Sequence, residues 1–94
     1  MGGAEPDRMP DYEVTFARSA RRELEELALP LSTRILSRIE QLAVDPRPSG
    51  TRKIQGKQNL WRIRLGDYRV IYAVDDDQRI VDVVKVRHRR EAYR

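Results

Sequence analysis

Twelve residues, Trp61–Tyr72, constrain the fold of this chain more than any others. The run Trp61-Arg62-Ile63-Arg64-Leu65 meets the run Tyr68-Arg69-Val70-Ile71-Tyr72 across Gly66-Asp67, so two strand-like segments join at a tight turn. Strands connected that closely pair antiparallel. Side chains alternate between the two faces of a strand, which puts Trp61, Ile63 and Leu65 on one side and Arg62 and Arg64 on the other. The apolar side needs a cover. The two arginine α-carbons stand about 7 Å apart along the strand, the order of spacing between neighbouring phosphates of a nucleic-acid strand. Arg69, just past the turn, can share their side.

At 94 residues the chain is sized for one domain around one modest core. Charged residues make up 36% of it, so the surface must be heavily ionised, yet clear helix and strand patterns argue against general disorder. No apolar run is long enough for a transmembrane helix or a secretory signal, and a cytoplasmic protein with no membrane partner is expected. Cysteine is absent and histidine occurs once, so no disulfide, metal site or cofactor is expected. The net charge of +4 is unevenly spread. Residues 1–51 carry seven Lys/Arg against nine Asp/Glu, whereas residues 52–94 carry twelve against six. The positive excess lies with the strands, where an anion-binding face would place it. A solvated basic surface is the plainer alternative.

Residues 1–10 hold two glycines and two prolines without periodicity and read as a flexible N-terminal extension, leaving 11–94 as the folded domain. Tyr12–Ala17 alternates as a strand, with Tyr12, Val14 and Phe16 on one face. Ser19 is placed to N-cap a helix over about Ala20–Leu29, whose Ala20, Leu24, Leu27 and Ala28 form one stripe. Pro30 interrupts, and Leu31, Ile35, Ile39 and Leu42 mark a second helix that ends in the stretch Asp45–Gly50. Arg52–Asn59 reads as a polar, basic connection. Strands over Leu60–Leu65, Tyr68–Asp75 and Arg79–Val86 are linked by short turns into an antiparallel meander. The order β-α-α-β-β-β defines an α+β domain: a twisted, antiparallel-type sheet with a helical hairpin packed on one face.

Beyond the last strand, Val86–Arg94 adds four arginines, the single histidine and a tyrosine. Exposed ion pairs contribute only about 0–1 kcal/mol, so stability alone is a weak reason for such a tail.

These pieces together resemble the RelE/ParE superfamily of bacterial toxin–antitoxin systems, and its RelE branch above all. The resemblance spans Tyr12–Arg94. It is carried by Leu42-Ala43-Val44-Asp45-Pro46, Lys53-Ile54-Gln55-Gly56, the whole stretch Leu60–Tyr72 and His88-Arg89-Arg90-Glu91-Ala92-Tyr93-Arg94. It implies the RelE-like fold and a metal-independent endoribonuclease that cuts messenger RNA, in RelE's case at the ribosomal A site. The RNA's 2′-hydroxyl attacks the adjacent phosphate, leaving a 2′,3′-cyclic phosphate and a free 5′-hydroxyl. It also implies a cognate antitoxin, RelB-like and acidic, partly disordered when free, that blocks the basic site. The alternative within the superfamily is a ParE-like inhibitor of DNA gyrase without nuclease activity, because fold alone does not fix function.

By matching motif positions, Arg62 and Arg64 stand where the family has basic residues on the strand face. Arg69 matches the arginine after the turn tyrosine, Arg89 the tail arginine and Tyr93 the tail tyrosine. The resemblance gives these positions the binding of the scissile phosphate and proton transfer. Arginine stays protonated at neutral pH, so Arg62, Arg64 and Arg69 are expected to stabilise charge rather than act as bases. Tyr93 is the family's proton carrier, and His88, with an ordinary pKa of about 6.5, is its rival. Lys53, Lys57 and Arg87 are expected to hold RNA backbone. Arginines replace RelE's lysines at positions 62 and 64, which removes any group there able to become neutral.

Overall fold

The computed structural model describes residues 11–56 and 59–90. Among them are strand β1 (Glu13–Phe16), helices α1 (Arg18–Glu25) and α2 (Leu31–Gln41), and strands β2 (Arg52–Lys53), β3 (Leu60–Leu65), β4 (Tyr68–Asp75) and β5 (Ile80–His88). The strands form one sheet in the order β1-β5-β4-β3-β2. The helical pair carries the chain from one edge of the sheet to the other, and the meander then steps back until β5 lies beside β1. The β1–β5 pair is parallel and the others are antiparallel, so the sheet is mixed. The expected α+β architecture forms, with β2 as an additional edge strand. Two residues offer no periodicity, so the sequence shows β2 only as a connection.

Gly66 closes the β3–β4 hairpin at φ +64, and Asp67 keeps an ordinary negative φ. Positive φ at the first central position alone is the type II′ turn, whose twist matches that of the flanking strands.

The first helix departs from expectation at both ends. Ala17 occupies the N-cap with φ −63 and ψ 151, no side chain caps the helix, and Ser19 lies inside it, exposed. The helix stops at Glu25 instead of Leu29 because Pro30 disfavours helical backbone before it. The Leu27 N–H bonds the Leu24 carbonyl at 3.2 Å in a tightened final turn. Leu27 still packs on the core, while Ala28 is exposed.

Both helices cover the same face of the sheet. Ala20, Leu24, Ile35, Ile39 and Leu42 meet Ile63, Val70, Tyr72, Val74, Val81, Val83 and Val86 in one apolar cluster. Trp61, Leu65, Tyr12, Val14 and Phe16 pack around it, as their alternation predicts.

Across its middle, β5 carries one residue more than β4. Ile71 pairs with Lys85 but Tyr72 pairs with Val83, which leaves Val84 as the extra residue of a β-bulge. Before the bulge Val81 and Val83 are buried; after it, Val86 is. The shift sends Lys85 and Arg87 to the open face and His88 to the helix face.

The loop between α2 and β2 is held from two sides. Tyr72 is fully buried and donates its hydroxyl to the Pro46 carbonyl at 2.7 Å, and burial raises its pKa above the ordinary tyrosine value. Outside, the Asp76 carboxylate accepts from the Tyr12 hydroxyl at 2.6 Å and from the Arg47 guanidinium at 3.0 Å. The Tyr12 bond, and then the Arg47 bond, hold the Asp76 carboxyl below the ordinary carboxylate range. A carboxyl whose folded pKa is depressed adds stability that is present above its unfolded pKa, about 4, and lost as pH falls through the folded value. Asp76→Asn should therefore lower the melting temperature at pH 7, and the gap to the parent protein should narrow below about pH 4. Thermal unfolding followed by circular dichroism between pH 7 and pH 3 reads this. A gap of equal size at both ends would show that the carboxylate charge contributes nothing.

Candidate functional site

The sheet face opposite the helices is the basic one, and strand register fixes what stands on it, because directly paired residues share a face. Arg64 of β3 pairs with Arg69 of β4, which pairs with Arg87 of β5. Two residues along, Arg52 of β2 pairs with Arg62 of β3, Arg62 with Ile71, and Ile71 with Lys85. These two rows cross the strands side by side. Arg52, Arg62, Arg64 and Arg69 line a shallow cavity of about 150 Å³, with no carboxylate among its described lining residues.

Like charges directly opposite one another are destabilising, by about 0.2–1 kcal/mol per pair. The site holds Arg52 against Arg62, Arg64 against Arg69, and Arg69 against Arg87. A bound anion offsets that repulsion, and guanidinium groups meet phosphate oxygens with paired, fixed N–H donors. Chemically the arrangement can hold phosphate and stabilise charge developing on its oxygens. It cannot take a proton, since arginine stays protonated.

Not every expected residue joins the rows freely. Arg87 stands at the end of one row, but its Nε bonds the Glu23 carboxylate of α1, whose other oxygen accepts the Val86 N–H at 2.8 Å. That carboxylate ties α1 to β5. Lys53 pairs with Trp61 and so belongs to the helix side of β2. His88 pairs with Tyr68, also on the helix side, where the two rings meet edge to face at 5.2 Å. His88 lines a separate cavity of about 580 Å³ with Glu23 and Glu26. The Arg89 N–H bonds the Asp67 carbonyl at 2.7 Å, which starts the tail at the hairpin tip beside the arginine rows. Lys57 and Tyr93 lie outside the described residues, as do residues 1–10 and 91–94.

Arg52 and Lys85 are the site-face residues that sequence reasoning missed. For Arg52 the signal is absent, because its side is set only by pairing with β3. For Lys85 the signal is the broken valine spacing of the last strand, with apolar burial at 81, 83 and then 86.

Residues 14–93 match the family model described as the ParE toxin of type II toxin–antitoxin systems, parDE. Toxin RelG of Mycobacterium tuberculosis is 31% identical over 88 residues, a match covering 88% of this chain and 97% of that protein. In fold, the chain is similar to one in the archaeal RelE–RelB complex from Pyrococcus horikoshii, with a TM-score of 0.75, 30% identity, and coverage of 84% of this chain and 96% of that one. A chain of the RelBE2 toxin–antitoxin complex from Mycobacterium tuberculosis matches with a TM-score of 0.73 at 26% identity, over 84% of this chain and 99% of that one. This chain is a RelE-like toxin of the RelE/ParE superfamily. Both arginine rows, together with Arg89 and Tyr93, fall inside the matched span of the toxin. Among its described residues, no helix is long and apolar enough to cross a membrane, and no His/Cys/Asp/Glu cluster is suited to a metal ion.

Proposed function

We propose that this toxin is an endoribonuclease that cleaves messenger RNA at the ribosomal A site and so arrests translation and growth. The observation that carries the reading is the cavity lined by Arg52, Arg62, Arg64 and Arg69 from facing strands, a set of donors that suits a phosphate. The nucleophile is the RNA's own 2′-hydroxyl, so the reaction needs no metal-bound water and no cofactor. The 2′-oxygen bonds to phosphorus, the bond to the 5′-oxygen breaks, one proton leaves the 2′-hydroxyl and another reaches the departing oxygen. Arg62, Arg64 and Arg69 stabilise the charge on the phosphorane oxygens, and Arg89 adds to them from the tail.

Proton transfer needs a group that the rows lack, and Tyr93 is the proposed one. An unperturbed tyrosine is only about 0.1% ionised at pH 7, and neighbouring guanidinium groups raise that fraction by favouring phenolate. His88 faces the other side of the sheet, which favours Tyr93 over it. The partner is a RelB-like antitoxin: several of the similar structures are RelE–RelB complexes, and an acidic chain complements the basic face. The site of action is the cytoplasm, where translating ribosomes are.

The ParE-like reading, gyrase inhibition without cleavage, draws support from the description of the matching family model. One experiment separates the two. Purified toxin is added to translating ribosomes with the message ends mapped, in parallel with a gyrase supercoiling assay. Cut message with active gyrase is expected, and Tyr93→Phe should slow cutting by about 10²–10⁴-fold, the usual worth of a general acid–base group. Intact message with inhibited gyrase would replace this reading by the other.

A further inference from the structure

Arg52 is the one basic residue lining the cavity that neither motif nor periodicity assigns. It sits on the two-residue strand β2, directly opposite Arg62, and its guanidinium makes no hydrogen bond or ion pair with another described residue. Its place is prepared by the loop before it. Tyr72 grips the Pro46 carbonyl from the core, Arg47 is tied to Asp76, and Thr51 donates its N–H to the Pro48 carbonyl at 3.1 Å. Gly50, at φ +91, borders the cavity with no side chain to close it. A guanidinium is thus delivered on a fastened loop to a position facing a like charge, an arrangement that an apo-protein gains nothing from.

We propose that Arg52 and Arg62 form a second phosphate subsite, one nucleotide away from the phosphate held by the Arg64–Arg69 row. The inference rests on the ribonuclease reading and adds a subsite to it. Arg62 and Arg64 are two residues apart on β3, so the rows lie about 7 Å from each other, the order of spacing between successive backbone phosphates. Each row offers a facing pair of guanidinium groups, the geometry that brackets one phosphate. A two-phosphate ligand therefore spans the cavity, whereas a one-phosphate ligand occupies one row.

The test uses the full chain and short RNA analogues that cannot be cut: a 2′-O-methyl dinucleotide with one phosphate, a 2′-O-methyl trinucleotide with two, and the same trinucleotide with one linkage made a neutral methylphosphonate. Binding is read by NMR titration, which detects millimolar affinities. The parent toxin should bind the two-phosphate ligand about tenfold more tightly than the dinucleotide, as one added charge-assisted contact predicts. Arg52→Ala should lose that increment, bind all three ligands alike, and lower the slope of log affinity against log salt by about 0.7 for the two-phosphate ligand. An increment kept in Arg52→Ala overturns the subsite and leaves the ribonuclease reading standing if message is still cut on ribosomes. Absence of binding to all three ligands by the parent also overturns the subsite. If message is uncut as well, the reading beneath it falls too.

Discussion

Arg69→Ala should lower the rate of message cleavage by about 10²–10³-fold, the usual cost of removing one donor aimed at developing negative charge. Arg69 is the middle member of its row, with Arg64 on one side and Arg87 on the other, and it is half-buried, so its guanidinium has few directions in which to lie. Arg87 cannot stand in for it, because Glu23 holds it. The fold should survive, since Arg69 stands on the sheet face opposite the apolar cluster. Single-turnover cleavage and a thermal melt, run on the same preparation, give both readings. Arg69→Lys should fall between the two, keeping the charge but not the paired donors. Full-rate cutting by Arg69→Ala would remove this row from the chemistry.

Ile39→Ala should be the opposite kind of change, costly to the fold and silent in the chemistry. Ile39 is fully buried on α2 and packs in the cluster between helices and sheet. Truncating a buried isoleucine costs about 2–5 kcal/mol through lost burial and the cavity left behind. A domain of this size holds about 5–15 kcal/mol in all, and each kcal/mol moves the melting temperature by about 4–8 °C. A drop of roughly 10–30 °C is expected. The arginine rows lie on the far face of the sheet, so cleavage per folded molecule should be unchanged at temperatures where the variant remains folded. A drop of less than about 5 °C would mean that α2 does not pack as described.

The hairpin was legible in the sequence because its two signals agree: strict alternation, and a turn glycine at the position where positive φ is needed. Both strand boundaries and the separation of Trp61, Ile63 and Leu65 from the arginines follow from that agreement. Ser19 misled because propensity for a cap is only local, and the start of α1 is set by where β1 releases the chain after Phe16. The site was legible in part. Arg62, Arg64 and Arg69 sit on contiguous paired strands, so alternation alone brings them together. Arg52 and Lys53 are neighbours in sequence, yet one faces the cavity side and the other the Trp61 side, a choice made by register with β3 and visible only in three dimensions. His88 is separated from the arginines for a related reason, the extra residue at Val84.

That extra residue acts on the sheet as a one-base insertion acts on a reading frame. Everything after it is read in the opposite sense. Were Val84 paired with Ile71 in simple alternation, Lys85 and Arg87 would press into the helices and Val86 would stand in water. The sidedness of the tail is therefore encoded by where β5 absorbs its extra residue, and not by alternation alone. A substitution at Val84 alters one contact, while a ladder that paired Val84 with Ile71 would exchange inside for outside along the rest of the strand.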